Sequence, residues 1–320
     1  MHLKFVIWAL SFTDNTGGVI ALHSLCSRLR GQGHEAYIWE EYRPPFPTFD
    51  RFPGLYQYLR YGVYRYIRYH LSGRRARFNL GPFGNRSAQD WDLDDAVVIY
   101  PEIVNGNPLR ALKYVRWLLN HPRTVRDGYD YRKDDVFFYF MDAFAADDLG
   151  FTMSGLLYVT WNHPAYREVA TAGREGTSYI LRKGKDRPLQ HALDGSVCVD
   201  GLSHEETAAV FKSTERFYSY DLYTRYYIYA AVCGCTPIVV PEDGVSEEAW
   251  MPDEQDRYGI AYGEQRAGWA RETRPLMFDK IARDHDREER TIREFVATCE
   301  RLFPRLDYEE AGAASRSART

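Results

Sequence analysis

The run YSYDLYTRYYIYAAVCGCTPIVVP, residues 218–241, sets one acid at the head of an aromatic, helix-like segment that passes into an apolar strand. A helix starting at Asp221 would carry Tyr229 eight positions on, about two turns away and on nearly the same face. Tyr220 and Tyr223 flank the acid, and Thr224 adds a hydroxyl to the first turn. Small residues Ala230, Ala231 and Cys233, just before Gly234, allow close approach to a strand. The first turn of such a helix offers unpaired N–H groups and a positive dipole end, which suit a diphosphate. Plainer readings stand beside this one: Asp221 as a helix cap, and Tyr229 as a packed ring.

Positioning these residues requires a strand–helix framework, and the chain supplies one. LKFVIWAL (3–10) has the length of a buried strand; SFTDNTGG is a turn-rich loop. Val19, Leu22, Leu25, Cys26 and Leu29 then recur at helical spacing until Gly31 and Gly33, and EAYIWEE (35–41) reads as a second strand. Residues 96–104 predict a strand, 107–122 an amphipathic helix stopped at Pro122, and 135–144 and 155–161 two more strands. Residues 162–177 have linker character. The pattern then restarts with strands at 178–185, 195–202, 216–221 and 237–241, helices at 203–213 and 221–234, and a last helix near 284–303. The expected class is α/β, with two doubly wound halves: 1–174, carrying an insert at 51–89, and 175–305, before a flexible tail at 306–320.

Bulk properties exclude several alternatives. The 320 residues, 45% hydrophobic and 27% charged, suit two folded domains, and a net charge of −4 argues against general nucleic-acid binding. Cys26, Cys198, Cys233, Cys235 and Cys299 are too scattered for a disulfide framework, and Cys233/Cys235 lack a second pair at zinc spacing. Neither a membrane-length apolar run nor a signal-peptide pattern is present in the sequence, so the expected location is cytoplasmic.

The segment 218–241 resembles the donor site of GT-B glycosyltransferases of the family 4 type. There an acid, seven intervening positions and a second acid lead into a small-residue helix, Cys-Gly and a Pro-started strand. The resemblance implies two Rossmann-like domains facing across a cleft, and it places Asp221 near the donor sugar. Tyr229 stands where the family has the acid that binds the ribose hydroxyls, and a tyrosine cannot make that bidentate contact. Gly17 and Gly18, followed by RGQGHE, match the family's first strand–helix junction; LRKGK (181–185) falls where its basic groups meet the donor diphosphate, which nominates Arg182 and Lys183. With Tyr220, Tyr223 and Thr224 these complete the implied donor site. Gly17-Gly18 also reads as a tight turn, and Arg182 and Lys183 as solvated charges. Residues 100–122 together with the 220–241 segment look like a bacterial polysaccharide group related to rhamnosyltransferases.

Glycosyl transfer must stabilise a leaving nucleoside diphosphate and, when it inverts, deprotonate an acceptor hydroxyl. Arg182, Lys183, Thr224 and a helix N-terminus could do the first without metal. Base candidates in the first half are Glu102 (in YPEIV), Asp142 (in FMDAF) and Asp14, with His163 a fourth nearer the linker. Glu102 ranks first because an acid closing an apolar strand is poorly explained as solvated; acceptor binding or support of the NGNP turn would also explain it. DLDD (92–95) precedes a strand and reads as a loop, not a metal site.

Residues 51–89 contain no acid but arginines at 51, 60, 65, 68, 74, 75, 77 and 86, interleaved with tyrosines. Residues 51–77 could lie on an anionic membrane surface, hold a lipid-linked or anionic glycan acceptor, or simply pack by their tyrosines. The expectation is a glycosyltransferase that uses a nucleotide-sugar donor and a glycan or lipid-linked acceptor, at the inner face of a membrane. A sugar-nucleotide 2-epimerase and a non-catalytic nucleotide- or glycan-binding module are the rivals.

Overall fold

The computed structural model describes residues 2–47, 54–125, 128–168 and 173–304. The chain divides into two compact units, Met1–Trp161 with Arg287–Thr320, and Asn162–Asp286. The tail at 306–320, residues 51–53 of the insert and residues 169–172 of the expected linker lie outside the described residues.

Unit 1 is a parallel sheet in the order β2-β1-β3-β4-β5-β6. Its strands are β1 (Lys4–Ala9), β2 (Glu35–Glu40), β3 (Val97–Pro101), β4 (Lys113–Leu118), β5 (Val136–Tyr139) and β6 (Met153–Leu156). Helix α1 (Gly17–Gly31) buries Leu22, Leu25 and Leu29 against Phe5 and Ile7. In the insert, Leu55–Gln57, a π-helical turn Tyr58–Val63 and helix α2 (Tyr64–Leu71) follow one another without a break.

Unit 2 is a parallel sheet in the order β11-β10-β9-β7-β8. It comprises β7 (Thr177–Ile180), β8 (Val197–Cys198), β9 (Arg216–Ser219), β10 (Thr236–Val239) and β11 (Ala261–Tyr262). Helices α3 (His204–Ser213) and α4 (Tyr226–Cys233) cover it. Ser203 and Glu206 close a capping box on α3, and Gly234, at φ +94°, ends α4 in the left-handed conformation. The α/β expectation with two parallel sheets holds.

Four expectations need correction. Residues 107–122 are not a helix: β4 occupies Lys113–Leu118, with Val115 and Trp117 in one core and Arg116 buried on the other face. A short apolar run fits both the helical and the strand period, and here the strand is the one formed. Helix α4 starts at Tyr226, so Asp221 precedes it by five residues and is not its cap, which is Arg225. The strand expected at 155–161 is β6, shifted back to Met153–Leu156. The last helix, α5 (Ala267–Leu302), starts well before 284 and carries Pro275 inside it, a residue that reads as a break in sequence. Within unit 1, Phe295 of α5 packs on Phe5 and Phe138 at ring separations of 5.6 and 4.8 Å.

His23, fully buried on α1, fixes the loop after β1: its Nε2 lies 2.9 Å from Leu10 O and its Nδ1 3.1 Å from Leu80 O. A neutral ring can donate to only one of these carbonyls. Burial nevertheless pushes the pKa below its ordinary value, outweighing the two carbonyls that raise it. Because the folded value is the lower one, the unfolded chain takes up the proton first. Stability from His23 should be complete above about pH 6.5 and decline as the pH falls through the depressed folded value. Urea unfolding at about pH 7.5 and about pH 5.5 should show a larger acid loss for wild type than for His23→Gln. Equal losses would refute the assignment.

Candidate functional site

The candidate residues lie where each sheet changes direction. In unit 1 the chain leaves β1 for β2 on one side and returns to β3 on the other; in unit 2 it leaves β7 for β8 and returns to β9. Loops diverge at such points, and open parallel sheets bind ligands in the resulting crevice, outside the strand C-termini. Gly17 and Gly18 follow β1 and Glu102 follows β3; residues 181–184 follow β7 and residues 220–225 follow β9.

In unit 2, the turn Arg182–Gly184 presses against the loop after β9. A Cβ on Gly184 would fall inside the van der Waals contact of the Tyr220 carbonyl oxygen, so no other residue fits without moving the turn. Arg182 takes a left-handed φ of +42°, strained for a side chain of its size. Its guanidinium sits 5.3 Å from the ring centroid of Tyr226, in the first turn of α4. Lys183 beside it is exposed. The amides of Leu181 and Arg182 donate to the Asp200 carboxylate at 2.7 and 3.3 Å. An anion here would therefore meet the two basic side chains and the start of α4 rather than those amides.

Asp221 is buried, and its Oδ1 accepts from Tyr223 N at 3.1 Å, while Thr224 Oγ1 accepts from Tyr226 N at 3.3 Å. Both side chains thus shape the loop that leads into α4. Tyr223 is exposed. The Tyr220 ring is buried, and its hydroxyl accepts from Gln190 N and faces His191 Nδ1, each at 2.7 Å. Burial lowers the His191 pKa, which favours the neutral ring, and its Nε2 lies 3.2 Å from Ser196 Oγ. Tyr229 is buried, one ring face stacked on Tyr166 at 4.1 Å and 6°. It belongs to a ring cluster with Tyr226 and His204, and His163 stacks on His204 at 4.7 Å.

In unit 1, Glu102 is buried at the end of β3 and its Oε2 accepts from Leu119 N at 3.0 Å. Burial raises its pKa above the ordinary carboxylate value, opposed by the amides of Leu119 and of Glu102 itself. Leu119 also reaches Gly18, where an added Cβ would make an ordinary 3.6 Å contact. Gly17 and Gly18 are the first two residues of α1 and not a tight turn. Asp14 is half-buried in the loop before them, whereas Asp142 is exposed after β5, two strands beyond β3. The structure brings Gly18 and Glu102 together on Leu119 and leaves Asp142 apart.

Sequence reasoning passed over Gly184, Asp200 and Arg187. The Arg187 guanidinium donates to the carbonyls of Tyr220, Val240 and Pro241 at 2.7, 2.9 and 2.5 Å, tying the C-terminal ends of β9 and β10 together. The signal for Gly184 was available, as a lone glycine between two lysines directly after a strand. Among the described residues no group of three or more His, Cys, Asp or Glu could hold a metal, and no helix is long and apolar enough to cross a membrane. The DLDD stretch begins inside a 3-10 turn, Asp90–Leu93, closed by reciprocal bonds between Gln89 and Asp92, and runs on as a turn before β3.

No protein-family model matches the chain, and no curated protein matches it. Solved structures do. The glycosyltransferase SnogD from Streptomyces nogalater aligns at TM-score 0.43 and 11% identity, covering 93% of this chain and all (100%) of that one. The glycotransferase of kitacinnamycin aligns at TM-score 0.42 and 13% identity, over 95% and 100% of the two chains. The spinosyn forosaminyltransferase SpnP aligns at TM-score 0.38 and 14% identity, over 95% and 100%.

Proposed function

We propose that this chain is a GT-B glycosyltransferase that moves a sugar from a nucleotide-sugar donor to a glycan or lipid-linked acceptor without a metal ion. The observation carrying this reading is the turn Arg182–Gly184, held against Tyr220 at the β7/β9 switch point with Arg182 over the first turn of α4. Unit 2 holds the donor. Its diphosphate meets Arg182, Lys183 and the start of α4, which offset the charge left on the departing nucleotide. Asp221 and Thr224 act by fixing the loop before α4. Unit 1 holds the acceptor, and Glu102, buried and raised in pKa, takes the proton of the attacking hydroxyl. Tyr229, stacked on Tyr166, supports the helix as a packed ring. The acceptor belongs to bacterial surface-polysaccharide synthesis on the inner face of a membrane, a reading that rests on the motif resemblance and the arginine-rich insert.

A thermal-shift screen against UDP-, GDP-, TDP- and CMP-sugars tests the donor site. One nucleotide family should stabilise the protein saturably, as ligand binding to the folded state requires. Lys183→Ala should weaken that shift and Gly184→Ala abolish it, since the added methyl displaces the turn. No shift with any donor, or an unchanged shift in Gly184→Ala, would overturn the assignment.

A further inference from the structure

Unit 1 contains a cavity of about 640 Å³ beside the ends of β1 and β2, roofed by the helical insert. Arg65, Arg68 and Arg110 reach it together with Trp8, Tyr42 and Tyr61. Arg43 also lines it, but its guanidinium is committed to Asp90 at 2.6 Å and lies over Trp39. Arg65 and Arg68 make no ion pair among the described residues. Among the described residues the only acid in the lining is Glu41, and burial raises its pKa. Cations three positions apart on a helix repel one another, so an arginine pair facing a cavity with so little negative charge is a site for an anion. Planar guanidinium groups match phosphate oxygens bidentately, and the aromatic walls can stack a ring.

A second feature adjoins the cavity. Leu55, Leu59, Ile67 and Leu71 stand four or eight positions apart along the insert and are 64, 50, 49 and 82% exposed. A shallow apolar depression lined by Tyr64, Ile67 and Leu71 shares Arg68 and Ser72 with the cavity. The basic pocket and the apolar stripe are therefore continuous.

We infer that this cavity binds the phosphate or diphosphate group of the acceptor, with the apolar chain of an amphiphilic acceptor lying along the stripe. This deepens the acceptor reading of unit 1 and rests on it.

The test is isothermal titration of the full chain, in a Gly184→Ala background that removes donor binding, with inorganic pyrophosphate and with farnesyl diphosphate. Both should bind saturably, and the farnesyl chain should add about tenfold or more in affinity. Arg65→Glu with Arg68→Glu, at exposed positions, should weaken both by about a hundredfold. Ile67→Ser with Leu71→Ser should remove only the farnesyl gain. Equal affinity for the two probes would support the phosphate site with a soluble phosphate ester as its source. Failure of both to bind, or indifference to the arginine reversals, would overturn the inference. Nucleotide-sugar thermal shifts in an Arg65→Glu/Arg68→Glu protein with Gly184 intact report the donor site separately, so the two readings can fail independently.

Discussion

Asp135→Ala is expected to destabilise the protein by about 3–5 kcal/mol in denaturant unfolding, the range for stranding one partner of a buried ion pair. Its partner Arg116 is fully buried, with Nε 2.5 Å from Asp135 Oδ2. The same guanidinium donates to Val104 O and Gly106 O, each at 2.7 Å, and stacks 4.4 Å from the centroid of Tyr131. Asp135 also accepts from Tyr114 Oη at 2.5 Å and from Arg132 N at 3.2 Å, so its loss empties several bonds at once. Arg116→Met should fall in the same range, because it strands the buried Asp135 carboxylate, left with only Tyr114 Oη and Arg132 N as donors, although methionine keeps apolar volume against Tyr131. The double variant should recover part of the Asp135→Ala loss but not all, since the carbonyls of Val104 and Gly106 remain without a donor. A loss below about 1 kcal/mol for Asp135→Ala would mean that the carbonyls and the ring alone hold the guanidinium.

The same arginine explains where the sequence misled. Tyr-Val-Arg-Trp-Leu satisfies helical and strand periods alike, and an arginine inside an apolar run reads as a solvated face until its partner is known. That partner lies 19 residues away, on the turn before β5, and local pattern carries no information about it. The first three strands were legible for the opposite reason. β1, β2 and β3 are apolar runs bounded by glycine- or proline-bearing turns, and the alternation of strand and helix implies a parallel sheet.

Glu102 was legible as an acid at the end of a buried strand, and its burial and raised pKa give that position chemical content. The loop before α4 was legible only in part. The family resemblance implied that Asp221, Thr224, Arg182 and Lys183 share one site, but the late start of α4 moved Asp221 off the helix. The constraint that holds the turn against Tyr220 is the absence of a Cβ at Gly184. Only coordinates reveal such a constraint, because what decides it is the neighbour and not the residue.

Glu102→Gln should lower turnover by about 10²–10⁴-fold while leaving the fold intact. The amide oxygen of glutamine can still accept from Leu119 N, so the bond between the ends of β3 and β4 survives. The stability sign points the same way. Burial raises the folded pKa of Glu102 above its unfolded value, so folding favours the neutral form. The contribution of Glu102 to stability is present below the unfolded value and is lost as the pH rises through the raised folded one. Glutamine mimics the neutral form, and the variant should therefore be no less stable than wild type at neutral pH. Catalysis has the opposite requirement, since a base must be ionised. The acidic limb of kcat/KM in wild type should sit above the range of an ordinary glutamate and should disappear in Glu102→Gln. A variant that keeps wild-type turnover and the same acidic limb would remove Glu102 from the chemistry. The half-buried Asp14, beside Gly17 and Gly18, would then be the next residue to replace.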